Sequence, residues 1–150
     1  VARARQAGAT ILTGGDRMVD DAHRKGVFMM PTLLEGADTS FEISRAELFG
    51  PIACLYRVSD FEEALALANT SPFGLTAAIH TASVDRGMTF LSRIKSGVAS
   101  INGATYGSEP HMPFGGLRQS GTGWREAGTE ALDVYSDWKT IYINANPASV

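Results

Sequence analysis

Residues 52–101, IACLYRVSDFEEALALANTSPFGLTAAIHTASVDRGMTFLSRIKSGVASI, carry the most regular patterning in the chain, and the fold class rests on them. The apolar run Ile52 to Val58 reads as a strand. Ser59 or Asp60 caps a helix in which Phe61, Ala64, Leu65, Leu67 and Ala68 share one face. Asn69 to Gly74 reads as a turn and Leu75 to Thr81 as a second strand. Ser83 or Asp85 opens another helix with Met88, Leu91, Ile94 and Lys95, closed by Gly97, and Val98 to Ile101 is a third strand. Alternation of this kind predicts an α/β fold, a parallel sheet with flanking helices, because parallel neighbours need a crossover long enough to hold a helix.

On the N-terminal side, residues 1–8 read as the end of a helix that Gly8 closes. Thr10 to Thr13 is β-prone and stops at Gly14-Gly15, residues 16–25 form a surface loop, and Val27 to Leu34 is an apolar run that Pro31 bends or places at an edge. Beyond the third strand, residues 103–123 are a glycine-rich loop with Pro110 and Pro113, and a loop so long is usually functional. A helix is expected over Trp124 to Leu132. Val134 to Asn144, with Tyr135, Trp138, Ile141 and Ile143, reads as a closing strand. The chain thus divides into 1–133 and a terminal strand and tail, 134–150. Its opening, Val-Ala-Arg-Ala-Arg, is in helical rhythm without an apolar leader, so a piece of a longer polypeptide is expected.

Composition narrows the function. With 44% hydrophobic and 19% charged residues, the chain can bury a core and has no signature of disorder. The net charge of -3 arises from interspersed acids and bases, so nucleic-acid binding has no electrostatic support. No apolar run approaches the roughly 20 residues that span a bilayer, so no membrane partner is expected. Cys54 is the only cysteine, and His23, His80 and His111 have no second His or Cys three or four positions away. No disulfide and no metal site is expected, and a reducing, cytoplasmic setting fits.

Four groups of words are the most informative: Glu47-Leu48-Phe49-Gly50-Pro51; Asn69 followed by Pro72-Phe73-Gly74-Leu75; Gly97-Val98 with Ile101-Asn102; and Met112-Pro113-Phe114-Gly115-Gly116 with Ser120-Gly121 and Arg125-Glu126. In this order and spacing they resemble the C-terminal portion of the aldehyde dehydrogenase superfamily, and the resemblance runs from the first residues to Lys139-Thr140. Gly123-Trp124-Arg125-Glu126 and Asp133-Val134-Tyr135 look similar to semialdehyde dehydrogenases, including the 2-oxoglutarate semialdehyde type. In that family a cysteine thiolate adds to the aldehyde, hydride passes to NAD or NADP, and a glutamate activates the water that releases the acid. Thiol, base and nucleotide-binding fold lie N-terminal to the matched segment, so the resemblance implies an inactive 150-residue chain with no catalytic residue of its own.

Cys54 stands in the apolar run Ile52-Ala53-Cys54-Leu55-Tyr56, with no His, Lys or helix N-terminus nearby in sequence to lower its pKa, and reads as a small hydrophobe. Read from residues alone, Glu47 is a surface acid and Phe49 a core ring. The resemblance makes both cofactor contacts, Glu47 on the ribose hydroxyls and Phe49 beside the nicotinamide. It likewise makes Phe114 a wall of the aldehyde path that excludes water. Thr105, Tyr106, Ser108, Glu109 and His111 are polar candidates in the loop that tunes substrate choice in relatives. Gly121-Thr122-Gly123 precedes an expected helix but lacks the Lys-Ser/Thr of a phosphate loop, so its glycines read as packing residues. The resemblance also implies a homo-oligomer paired through the terminal strand. The rival reading is a non-catalytic assembly module with the same fold.

Overall fold

The computed structural model describes residues 1–144. In chain order the elements are α1 (Ala2–Gln6), β1 (Thr10–Thr13), β2 (Thr32–Glu35), α2 (Glu42–Arg45), β3 (Ile52–Leu55), α3 (Phe61–Ala68), β4 (Phe73–Gly74), β5 (Thr76–Ile79), α4 (Val84–Arg93), β6 (Val98–Ile101), β7 (Leu117–Arg118) and α5 (Ala131–Val134). Two units emerge: one comprises 1–72 with 83–95, and the other comprises 73–82 with the chain from 96 onward.

In the first unit β2 is the central strand, antiparallel to β1 and parallel to β3, with Leu34 opposite Ile11 on one side and Cys54 on the other. Leu34 is fully buried and gathers Ala4, Ala9 and Ala37, against which Ile11, Phe41, Ile43, Ile52 and Cys54 pack. Truncating such a side chain costs about 2–5 kcal/mol, so this cluster anchors the unit. Helix α3 starts where the Asp60 carboxylate accepts the Glu63 N–H at 2.9 Å, while Glu63 reaches back to the Ser59 N–H and hydroxyl, each at 2.7 Å. Reciprocal satisfaction of otherwise orphaned donors fixes the helix start. In α4 the Ser83 hydroxyl accepts the Arg86 N–H, and Gly87 and Phe90 are buried. The last turn of α4 returns to α3 through Arg93, which donates two 2.7 Å bonds to Glu62.

In the second unit β5 and β6 form a parallel pair, Thr76 opposite Val98 through Ile79 opposite Ile101, and β4 pairs antiparallel with β7. Its most buried residues, Gly74 and Gly116, have no side chain to bury. Packing here is backbone against backbone. A Cβ on Gly97 would collide with the Gly115 carbonyl oxygen, and one on Gly121 would lie 2.5 Å from that of Gly116.

Several expectations are corrected. A uniformly parallel sheet gives way to mixed pairing in three sheets, because β1 joins its sheet by an antiparallel pairing and β4 finds β7 more than forty residues away. The turn expected through Gly74 and the loop expected over 103–123 therefore each contribute a short strand. Trp124 to Leu132 is not a helix. Its first part is held by a bridge between Glu126 and Phe114, and only Ala131–Val134 is helical. The strand expected over Val134 to Asn144 is absent as well: residues 136–144 have no regular structure and no ladder partner among the described residues. A strand needs another strand's backbone to satisfy it, and none among the described residues pairs with this segment. The rest of the 134–150 tail lies outside the described residues.

Candidate functional site

Glu47, Leu48 and Phe49 occupy the connection from α2 to β3. The Ile52 N–H donates to the Gly50 carbonyl at 2.8 Å, closing a tight turn around Pro51, and the Thr32 N–H donates to the Pro51 carbonyl at 2.8 Å. Both bonds tie the connection to the central sheet. Leu48 borders an apolar cleft of about 520 Å³ that Ala4, Phe41, Ile43 and Ile52 also line. Its neighbour Phe49 is 92% exposed and has φ 45°. A residue with a Cβ in the left-handed region costs about 1–2 kcal/mol, and holding it there persists only where the surroundings impose it. The core ring read from the residues alone is thus corrected: Phe49 is turned outward. Glu47 is exposed and makes no hydrogen bond or ion pair among the described residues, so both its oxygens can accept hydroxyl donors.

Phe114 belongs to the second unit and is half-buried. Its N–H donates to the Glu126 carbonyl and its own carbonyl accepts the Glu126 N–H, both at 2.8 Å. The Arg125 guanidinium donates to the Gly116 carbonyl at 3.2 Å, closing the same strip. The glycines at 121 and 123 precede no helix of useful length, which removes any phosphate cradle there. The polar loop candidates Thr105, Tyr106, Ser108, Glu109 and His111 are all exposed.

Cys54 lies on the inner face of β3, packed against the Leu34 cluster. Two positions along β3 and its extension, the Tyr56 hydroxyl donates to Ser44 Oγ at 2.6 Å, and burial pushes its pKa above the ordinary value. Surroundings of this kind suit a small hydrophobe.

Two asparagines that the sequence marks only as parts of larger words have defined duties. Asn69 follows α3, where its amide donates to the Arg93 carbonyl at 3.0 Å and accepts the Lys95 N–H at 2.8 Å, satisfying the end of α4. Asn102 performs a matching double bond with Thr81. No local signal marks these pairs, since the partners are more than twenty residues away.

A family model described as the aldehyde dehydrogenase family matches residues 1–141. An alpha-ketoglutaric semialdehyde dehydrogenase of Bacillus subtilis is 34% identical over 143 residues, which cover 95% of this chain and 29% of that protein. An alpha-ketoglutarate semialdehyde dehydrogenase of Haloferax volcanii is 39% identical over 136 residues, covering 90% and 28%. Among solved structures, a betaine aldehyde dehydrogenase of Staphylococcus aureus in complex with NAD+ matches with a TM-score of 0.83 at 36% identity, covering 88% of this chain and 26% of that one. The chain therefore spans less than a third of the length of these relatives.

Proposed function

The chain belongs to the aldehyde dehydrogenase family, and from that premise we propose that it forms the C-terminal portion of an NAD(P)+-dependent enzyme oxidising an aldehyde to a carboxylic acid. A carboxylated semialdehyde is the substrate class favoured by the names of the Bacillus and Haloferax relatives. When bound, NAD(P)+ supplies the hydride acceptor. Glu47 accepts hydrogen bonds from the vicinal hydroxyls of the ribose next to the nicotinamide, and Phe49 offers its ring to the nicotinamide face. Phe114 forms part of the wall along which the aldehyde arrives and keeps water from it.

One observation carries this reading: an aromatic ring held almost wholly in solvent by a left-handed backbone, beside a carboxylate with no partner among the described residues. Neither feature helps the unit fold, and both suit a flat, hydroxyl-bearing ligand. The 150-residue chain by itself turns over no aldehyde, because its single thiol is half-buried on β3 and packed against the Leu34 cluster. Purified chain mixed with aldehyde and NAD+ should form no NADH, and turnover abolished by Cys54→Ala would overturn the assignment.

A positive test exchanges residues 1–144 into the matching quarter of the Staphylococcus enzyme. The exchanged enzyme should transfer hydride, and Glu47→Gln within it should raise KM for NAD+ about tenfold with kcat little changed, as loss of charge-assisted bonds predicts. The assembly reading has an observation of its own. Tyr135, Trp138, Tyr142 and Ile143 are each at least 86% exposed, and such a stretch suits pairing with another copy in a homo-oligomer.

A further inference from the structure

The end of β6 has a geometry that neither the cofactor contacts nor Phe114 uses. The Asn102 N–H makes the last rung of the β5–β6 ladder, donating to the Ile79 carbonyl at 2.8 Å. Beyond that rung the backbone leaves the sheet, with φ 55° at Asn102. Its side chain nevertheless continues the ladder: Oδ1 accepts the Thr81 N–H at 2.8 Å, and Nδ2 donates to the Thr81 carbonyl at 2.9 Å. The amide thus stands in for the peptide group that a continuing strand would have supplied. Asparagine unites the tolerance of left-handed backbone with one donor and one acceptor at this reach. Glycine offers only the first, and aspartate lacks the donor.

Asn102 leads directly into the loop 103–112. At the root of this loop the Ser100 hydroxyl donates to the Ala104 carbonyl at 3.2 Å. At its far end the Gly128 N–H donates to the Pro110 carbonyl at 3.1 Å, and Phe114 is pinned to Glu126. Between these fixed ends Thr105, Tyr106, Ser108 and Glu109 stand exposed. Without the Asn102 clamp, the Ser100–Ala104 bond is what remains to hold the root of the loop among the described residues.

We infer that Asn102 is a positioning residue: its clamp on Thr81 aims the 103–112 loop and thereby sets aldehyde affinity. The inference rests on the proposed reading of this loop as substrate-facing, and it assigns Asn102 no contact with substrate or cofactor.

Hydrogen exchange on the 150-residue chain tests the clamp without any ligand. In N102A the Thr81 amide, which donates to Asn102 Oδ1, should exchange about tenfold faster, the scale of two lost hydrogen bonds net of water, while the amides within β5 and β6 keep their protection. N102G, which keeps the backbone conformation and removes the amide, should free Thr81 similarly and covers the case in which N102A fails to fold. Thr81 exchange unchanged in N102G, or β5–β6 opening together with it, would overturn the positioning role in favour of none or of a plain staple.

In the segment-exchanged enzyme, N102G should raise KM for the aldehyde about tenfold, with kcat and KM for NAD+ within twofold, because loss of preorganisation falls on the ligand the loop meets. An unmoved aldehyde KM would overturn the link to substrate. Glu47→Gln in the same enzyme reports separately on the underlying reading, since that reading fails if KM for NAD+ stays put.

Discussion

Phe49 and Phe114 are presented by opposite means. The first projects from a turn whose neighbours are tied to an aliphatic core, and its ring is almost free of protein contact at 92% exposure. The second is half-buried in a strip held by paired backbone bonds and by glycines in close approach. One aromatic is therefore exposed at a cost in backbone strain, while the other shares in holding its unit together. Exposure alone, by this contrast, does not mark a site. Trp138 is still more exposed, at 99%, yet residues 136–144 make no backbone hydrogen bond among the described residues, so nothing there fixes a geometry for a small ligand.

The strongest challenge to this contrast is Gly97→Ala. The added Cβ runs into the Gly115 carbonyl oxygen, backbone against backbone, and about 3 kcal/mol of stability should be lost in the second unit. Denaturant unfolding followed by Trp124 fluorescence reads that loss. A smaller effect is expected from Phe114→Ala, about 1–3 kcal/mol in the same measurement, as a half-buried ring is truncated.

Phe49→Gly should move the other way. Relief of left-handed strain, about 1–2 kcal/mol, outweighs the extra freedom of glycine in the unfolded chain, leaving a gain of roughly 0.5 kcal/mol. In the segment-exchanged enzyme the same change should weaken NAD+. Opposite signs of stability change at the two phenylalanines would confirm the contrast, and equal losses would erase it.

The smallest effect is with pH. Asp38, Glu62 and Glu63, all in the first unit, have pKa values held below the ordinary carboxylate range by bonds from Ser40, Arg93 and Ser59 respectively. A carboxyl whose folded pKa is depressed contributes stability that is complete above its unfolded value and lost as pH falls through the folded one. All three are solvent-exposed, so the contribution is modest. Acidification from neutral pH should leave the first unit untouched until the normal carboxylate range, then weaken it progressively. Amide exchange in α3, followed across that range, checks the sign.

Much of this was legible in advance where the information is local. The caps at Asp60 and Ser83, the apolar face of α3, and the strands at Thr10, Ile52 and Val98 all follow from neighbours within a few positions. The family words were legible too, and with them Glu47, Phe49 and Phe114 as residues to watch. What escaped reading was long in range. Pairing of β4 with β7 gave the glycine loop a strand, the Phe114–Glu126 bridge displaced an expected helix, and the expected terminal strand has no partner among the described residues. Asn102 looked like a letter in a motif because Thr81, its partner, lies on another strand.

Residue order alone settled the family, the α/β character and the core helices with their caps, since each rests on side-chain periodicity or on bonds within one turn. Folding in three dimensions was needed to set which way Phe49 faces, which glycines touch, and that Asn102 closes on Thr81. Those outcomes depend on backbone groups brought together from distant positions, and backbone donors and acceptors are the same at every residue but proline.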